Sequence, residues 1–220
     1  MSDGFTDLID NATVFFAQLA ANNSKDWFEP HKEKYTSQIK KPAEFLGEVL
    51  AEDLSRATGV SHKAKLFRIH RDVRFSKDKT PYNAHLHLSW SQPRKDKPAW
   101  FFGASPSYLI FGMGITGFDG EGLTRYRTFV DRHGDDLSDA IETARASVGA
   151  GISEWGPEPL KRVPKPYEAD HPHADLLKRK SLTITAPFPT EWRDTGVLPN
   201  IAVLCSALMP IWTLLNEDLG

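Results

Sequence analysis

Two stretches of alternating apolar and polar residues decide the fold of this chain: Leu66-Phe-Arg-Ile-His-Arg-Asp-Val-Arg-Phe75 and Asn83-Ala-His-Leu-His-Leu-Ser-Trp90. A period of two is typical of a β-strand that packs one face against a core. Because the connection between the two stretches is short, we predict that they pair as antiparallel strands. The side chains predicted to face the core are Phe67, Ile69, Val73, Leu86 and Leu88.

The residues before these strands have the periodicity of helices. Apolar side chains recur every three or four positions over residues 5–19, and Asn22 and Asn23 predict the end of that helix. Ser24 is suited to cap a second helix, and Pro42 is suited to the first turn of a third. We therefore predict that helices within residues 5–54 pack on the apolar face of the sheet.

The remainder of the chain adds strands and then helices. Two further strands are predicted at Trp100–Ala104 and Tyr108–Ile115, and Gly112 and Gly114 indicate a bend, a bulge or a close backbone approach in the second. The other patterns predict helices at residues 123–130, 137–148 and 201–215, a strand at 182–185 and irregular structure at 156–172.

This order of elements predicts an α+β fold, with a largely antiparallel sheet, an N-terminal helical segment and further helices packed on one face. A length of 220 residues lies within the usual size of one domain, so we predict a single domain over residues 1–220. Its parts are a helical segment of about residues 1–58, a sheet-rich middle of about 64–116 and a mixed part of about 120–220.

The composition indicates a chain that folds unaided in a reducing compartment. Hydrophobic residues make up 40% and charged residues 25%, unlike a disordered chain. The single cysteine, Cys205, lies in an apolar run, which predicts a buried and inert thiol. The N-terminus lacks the pattern of a signal peptide, and no stretch has the roughly 18–20 uninterrupted apolar residues of a membrane span. We therefore predict a cytoplasmic protein that does not enter a membrane.

The main chemical signal is a local excess of basic residues in a chain whose net charge is −2. Three Arg and two Lys lie within residues 68–79, against Asp72 and Asp78. Guanidinium groups this close repel one another, and a bound phosphate or carboxylate would relieve the repulsion. The residues predicted to bind an anion are Arg68, Arg71, Arg74, Lys77 and Lys79, with Lys161 and Arg162 of a second basic region that would fold back to the first.

The alternative is a solvated structural network, in which Asp72 bridges neighbouring arginine side chains and Asp78 pairs with Lys77 or Lys79. On a strand, however, His70 and Asp72 would project from the same face as Arg68. We therefore predict that Asp72, His70 and His85 are the groups that transfer protons.

Metal binding is a weaker possibility. His85 and His87 share one face of the second strand, but a His-x-His pair alone is a weak metal signal, and we predict no metal site. The sequence indicates no particular cofactor and no oligomeric state.

Several longer segments carry a family resemblance. The string Arg71-Asp-Val-Arg-Phe-Ser-Lys-Asp-Lys-Thr-Pro-Tyr82, with Asn22-Asn-Ser-Lys-Asp-Trp-Phe28 upstream and Leu160-Lys-Arg-Val-Pro-Lys165 and Asp170-His-Pro172 downstream, resembles a widespread, mainly bacterial family known as a conserved domain of unknown function. The resemblance spans nearly the whole chain. It implies no established activity, substrate or cofactor.

Two functional hypotheses follow from the residues. The first is an enzyme that holds a small phosphorylated or carboxylated metabolite through the basic side chains while Asp72 and a histidine move protons, in hydrolysis or group transfer. The second is a non-catalytic module that recognises an anion on a nucleotide, a nucleic acid or a protein. A near-neutral chain gives no strong nucleic-acid signal. Both hypotheses expect a small anionic group as the ligand.

Overall fold

The computed structural model describes residues 4–94 and 96–217, and the chain forms two compact units. The first unit contains residues 4–93, 101–110 and 188–201, and the second contains residues 94, 96–100, 111–187 and 202–217. The helices are α1 (Thr6–Ala21), α2 (Lys25–Tyr35), a π-helical turn (Thr36–Lys40), α3 (Lys41–Thr58), α4 (Gly120–Val148), α5 (Ala174–Leu177), α6 (Trp192–Thr195) and α7 (Val197–Glu217). The strands are β1 (Lys63–Leu66), β2 (Leu86–Ser91), β3 (Ala99–Ser105), β4 (Tyr108–Ile115), β5 (Gly151–Ile152) and β6 (Leu182–Pro187).

The strands of the described residues form one six-stranded sheet in the order β1-β2-β3-β4-β6-β5. β1 pairs antiparallel with β2, from Lys63 opposite Ser91 to Leu66 opposite Leu88. β5 likewise pairs antiparallel with β6. The predicted α+β class, with N-terminal helices and an antiparallel sheet, is confirmed.

Local sequence signals set the limits of the N-terminal helices. The Ser24 hydroxyl accepts a backbone hydrogen bond at 3.3 Å in the first turn of α2, as predicted for its cap. Pro42 lies in the first turn of α3, and Gly59 ends that helix with a left-handed φ of 73°. α3 packs directly on β2, because the indole N–H of Trp90 donates to the Gly47 carbonyl at 2.8 Å.

The prediction that a strand extends over residues 66–75 is wrong. β1 ends at Leu66, and residues 67–85 form a loop with a single antiparallel bridge, between His70 and Tyr82. The physical reason is local competition for backbone hydrogen bonds. The side chains of Asp72 and Asp78 accept backbone N–H groups two residues further on, which disfavours continued strand pairing.

Not all of the side chains predicted to face the core are buried in the structure. Ile69, Leu86 and Leu88 are buried as predicted. Phe67, in contrast, is 44% exposed, and Val73 is half-buried, so the predicted alternation does not hold along the whole stretch.

In the second unit, β4 approaches β6 closely at two glycines. A Cβ atom on Gly112 would overlap the Ile184 carbonyl oxygen, and one on Gly114 would overlap the Leu182 carbonyl oxygen. Gly114 also has a φ of 141°, which other residues rarely adopt. Of the three arrangements that the sequence allowed for these glycines, the close backbone approach is therefore observed.

The helical patterns at residues 123–130 and 137–148 belong to one helix, α4, which is kinked at His133 (φ −126°, ψ 22°). Two histidines of a later loop lie against this helix. His171 Nε2 is 3.2 Å from an Asp131 carboxylate oxygen, and His173 Nε2 is 3.0 Å from an Asp135 carboxylate oxygen. These pairs attach the loop to α4 within the second unit.

By length and mean composition, helix α7 is apolar enough to cross a membrane, although polar residues and Pro210 interrupt its apolar run. Length and composition are weak evidence, since the core helix of a protein has the same properties. One side of α7 is buried in the protein, at Val197, Ile201, Leu204, Cys205, Leu208, Ile211, Trp212 and Leu215.

Candidate functional site

The basic residues singled out in the sequence lie mainly on one loop of the first unit, residues 67–85, which we call the basic loop. Its two arms are joined by backbone hydrogen bonds beside the bridge of His70 and Tyr82. The Arg71 N–H donates to the Pro81 carbonyl at 2.8 Å, and the Asn83 N–H donates to the Ile69 carbonyl at 2.7 Å. The loop is therefore closed at its base without a regular strand.

The same bridge is attached to the N-terminal helices. The side-chain amide of Asn23 donates to the Tyr82 carbonyl at 2.9 Å and accepts from the Tyr82 N–H at 3.1 Å. The ring of Phe28, in α2, stacks on the Tyr82 ring with centroids 4.3 Å apart and meets the His70 ring edge-on. These contacts fix the position of the basic loop relative to α2.

Arg71 is part of a hydrogen-bonded network with Asp78 and Thr80. Its guanidinium donates to an Asp78 carboxylate oxygen at 2.5 Å, and also to the Thr80 carbonyl and hydroxyl. The Asp78 carboxylate in turn accepts from the Thr80 N–H at 2.9 Å. This backbone hydrogen bond, together with Arg71, lowers the pKa of Asp78 to about 2. The network orders the second half of the loop.

Arg74 and Asp72 form a second pair. The guanidinium donates twice to the Asp72 carboxylate, at 2.9 Å and 2.7 Å, and this contact lowers the pKa of Asp72. The Lys79 ammonium donates to the Val73 carbonyl at 3.0 Å. Phe75, beside Arg74, is 96% exposed. Several predicted anion ligands are therefore already bound to groups of the loop itself.

Arg68 and Lys77 differ from these residues. Neither forms an ion pair with any residue in the ranges 4–94 and 96–217. Arg68 is positioned through its backbone, because its carbonyl accepts a hydrogen bond from the Asn83 side chain at 3.1 Å. Its guanidinium remains available for a ligand.

Arg68 lines a cleft of about 290 Å³ in the first unit. α2 contributes Lys32 to this cleft, and the π-helical turn contributes Lys40. Glu44 is the one carboxylate among the described lining residues, and it lies 3.8 Å from the Lys40 ammonium. The cleft is lined by Phe28, Lys32, Tyr35, Thr36, Lys40, Glu44, Leu66, Phe67, Arg68, Ile69 and His70.

The helical residues Lys32, Lys40 and Glu44 were not predicted from the sequence to be part of a site. A usable signal was present, because Lys32, Thr36, Lys40 and Glu44 recur every four residues and so share one helix face. The π-helical turn within this run is a feature found frequently at functional sites.

Tyr35 contributes a phenol that stays protonated. Burial raises the pKa of Tyr35 to about 12, and the Glu44 carboxylate adds to the rise. At neutral pH, this side chain therefore adds no negative charge to a cleft that contains three basic residues.

One of the three predicted proton-transfer residues lines the cleft. His70 lines the cleft, whereas Asp72 and His85 are absent from its lining. His85 stacks on His87 with ring centroids 3.9 Å apart, and His87 Nε2 is 2.7 Å from the Tyr108 hydroxyl. Burial, and to a lesser degree His85, lowers the pKa of His87 to about 4. Burial also lowers the pKa of His85. His85, at the end of the basic loop, and His87, in β2, are therefore both neutral at neutral pH.

Lys161 and Arg162 lie in the second unit, in the irregular segment between β5 and α5, and both are exposed. They do not line the cleft of the first unit, and their participation in anion binding stays a prediction. In the ranges 4–94 and 96–217, no three side chains of His, Cys, Asp or Glu are grouped closely enough to hold a metal ion.

Comparison with known proteins identifies a family. The sequence model of a family described as a conserved hypothetical protein (DUF2461) matches residues 11–213, nearly the whole chain. No curated protein gives a significant match. The resemblance to a family of unknown function is therefore confirmed, and the family description names no activity.

Proposed function

We propose that this chain, which belongs to the DUF2461 family, binds a small phosphorylated or carboxylated ligand in the cleft of the first unit. The observation that carries the proposal is the convergence of Lys32 and Lys40, from one helical segment, and of Arg68, from the basic loop, on one concave surface. Like charges brought together without a matching number of carboxylates repel one another. A bound anion offsets that repulsion and gains charge-assisted hydrogen bonds.

Arg68 is the arginine of the basic loop that best fits this role. Arg71 and Arg74 were also predicted to bind the anion, but their guanidinium groups bind Asp78 and Asp72. Recruiting either to a ligand would break an existing ion pair. We therefore assign anion binding first to Arg68 and Lys32, whereas Lys40, whose ammonium lies 3.8 Å from a Glu44 carboxylate oxygen, adds positive charge to the same cleft.

The test is a ligand titration on matched variants. Phosphate and sulfate should raise the melting temperature of the wild type, because binding to the folded state alone stabilises it. Arg68→Gln or Lys32→Gln should weaken phosphate affinity by roughly 10- to 100-fold in calorimetric titration, the usual contribution of a hydrogen bond to a charged group.

Lys77→Gln is the matched control for these variants. It removes one positive charge from the same loop, but Lys77 does not line the cleft. The proposal is wrong if neither anion stabilises the folded wild type. It is also wrong if Lys77→Gln weakens phosphate binding as much as Arg68→Gln, because binding would then follow total charge and not the cleft.

His70 favours a second candidate, an enzyme acting on the bound anion. Imidazole is the side chain most often used in general acid–base catalysis, and His70 lines the same cleft as Arg68. If the chain is such an enzyme, His70→Gln should lower turnover by roughly 10²- to 10⁴-fold with little change in phosphate affinity. A screen for turnover of phosphorylated and carboxylated metabolites by the wild type comes first, and no turnover in that screen would favour the binding module.

Asp72 is tested in the same screen. It was predicted to transfer protons, and its bidentate contact with Arg74 instead favours a role in holding the loop. Asp72→Asn should therefore leave turnover largely unchanged. A loss of turnover comparable with that of His70→Gln, at unchanged phosphate affinity, would restore the catalytic assignment.

A further inference from the structure

We propose that the ligand of the cleft is a phosphate monoester whose ester group carries a single aromatic ring, and that Phe67 recognises this ring. The inference rests on the anion-binding function proposed above and adds the chemical class of the ligand. Its basis is the position of an exposed aromatic side chain in a cleft lined by cations.

Phe67 is held in place although it is substantially exposed. Its backbone N–H donates to the His87 carbonyl at 3.0 Å, which continues the pairing of β1 with β2 by one residue. The His87 ring meets the Phe67 ring edge-on, with centroids 6.4 Å apart, and the Lys65 ammonium lies 5.1 Å from the Phe67 ring centre. The ring is therefore ordered before a ligand arrives.

Three other aromatic and aliphatic residues of the cleft offer less surface than Phe67. Phe28, Tyr35 and Ile69 are buried, so most of their area is already covered by the protein. Phe67 keeps 44% of its surface exposed and is adjacent in sequence to Arg68. Phe67 and Arg68 line the same cleft, so a ligand bound by the guanidinium there has an exposed aromatic surface beside it. Two aromatic rings attract each other in stacked or edge-on geometry.

Charge distinguishes a phosphate monoester from a carboxylate. Lys32, Lys40 and Arg68 carry three positive charges, and Glu44 offsets one of them, which leaves two in excess among the described lining residues. A phosphate monoester carries about −1.5 to −2 at neutral pH, whereas a single carboxylate carries −1. The phosphate monoester therefore matches the charge of the cleft.

Size restricts the ester group. A volume of about 290 Å³ is at the lower limit of small-molecule sites, which usually span about 300–1,000 Å³. Such a cleft has room for one phosphate and one ring.

The experiment compares inorganic phosphate, phenyl phosphate and benzoate by calorimetric titration. The wild type should bind phenyl phosphate roughly tenfold more tightly than inorganic phosphate, the effect of one aromatic contact with modest apolar burial. Phe67→Ala should abolish this advantage and leave the affinity for inorganic phosphate unchanged. Benzoate should bind more weakly than phenyl phosphate.

Phe45→Ala is the matched control, because Phe45 is a 58% exposed phenylalanine on α3 that does not line the cleft. It should keep the tenfold preference. Phe67→Leu retains apolar volume without the ring, and circular dichroism with thermal melting establishes that each variant is folded.

The possible outcomes separate the two proposals. If inorganic phosphate binds but phenyl phosphate binds no more tightly, the ring assignment is wrong and anion binding stands. If Phe67→Ala or Phe67→Leu lowers both affinities by the same factor, Phe67 only supports the cleft, and the inference is overturned. Tighter binding of benzoate than of phenyl phosphate overturns the phosphate assignment. Absence of binding by all three compounds overturns the proposed function itself.

Discussion

Asp72 and Asp78 each bind groups of the basic loop itself. Each carboxylate accepts a backbone N–H two residues further on and binds a guanidinium, of Arg74 and Arg71 respectively. Both pKa values are lowered by these hydrogen bonds. A structural network of the kind that the sequence left as an alternative is therefore present, although Asp78 binds Arg71 and not Lys77 or Lys79. The excess positive charge of this stretch remains on Arg68, Lys77 and Lys79.

The pH response of Asp78 follows from its hydrogen bonds. The folded state lowers its pKa from an ordinary 3.8 to about 2, so its contribution to the order of the loop is present above about pH 4 and is lost as pH falls toward 2. A carboxyl-carbon NMR titration should give a midpoint near 2. Arg71→Gln should raise that midpoint, because it removes one of the donors that stabilise the carboxylate. A wild-type midpoint close to 4 would contradict the network.

At the scale of elements, the basic loop is positioned by contacts with α2 and the residues that precede it. The Asn23 amide binds both backbone groups of Tyr82, in the manner of a neighbouring strand, across 59 residues of sequence. This attachment brings Arg68 and His70 to the same cleft as Lys32. A π-helical turn then presents Lys40 from the helical side.

Asn23→Ala should therefore destabilise the chain by about 2 kcal/mol, because it leaves the N–H and the carbonyl of the buried Tyr82 without their side-chain partner. Urea unfolding measures the change. Asn22→Ala is the matched control, since the Asn22 amide makes an exposed hydrogen bond to the Gln18 carbonyl within α1 and its cap. Equal effects of the two variants would show that the attachment of the loop contributes nothing specific. Asn23→Ala should also weaken phosphate binding at the cleft.

The glycines of β4 provide a second test at this scale. Gly114→Ala should lower the free energy of unfolding by at least about 2 kcal/mol, because the new methyl group would overlap the Leu182 carbonyl and Gly114 has a positive φ. Gly117→Ala should have a much smaller effect, since no atom lies within 4 Å of a Cβ built there. The comparison uses urea unfolding, and similar losses for both variants would contradict the close approach of β4 and β6.

At the scale of the whole molecule, the chain forms two compact units that share elements. β3, β4 and α7 each contribute residues to both units. Disordering either unit would therefore interrupt elements of the other, which favours a single cooperative unfolding transition.

Cys205 reports on that transition, because it is the single cysteine and lies in α7. Burial raises the pKa of its thiol to about 12, so the folded protein should react very slowly with a thiol reagent near neutral pH. In increasing urea, the fraction labelled should follow the loss of helical circular dichroism with the same midpoint. Rapid labelling of the folded protein, or two separated midpoints, would contradict the prediction.

The amino-acid sequence alone was sufficient for features that depend on neighbours along the chain. The cap at Ser24, the proline in the first turn of α3 and the apolar periodicities act over a few residues, and they predict the N-terminal helices and the α+β class. Gly112 and Gly114 were also informative, because a glycine inside a strand often marks a bulge, a bend or a place where another backbone comes close.

The tertiary structure alone decided which residues form the cleft. Alternation over residues 66–75 is equally compatible with a strand and with a loop, and the outcome depended on side-chain competition at Asp72 and Asp78 and on the distant contact of Asn23 with Tyr82. Arg68 and Lys32 are 36 positions apart in sequence and meet only through that folding. Local patterns specify elements, whereas the convergence of charges on one surface depends on how those elements pack.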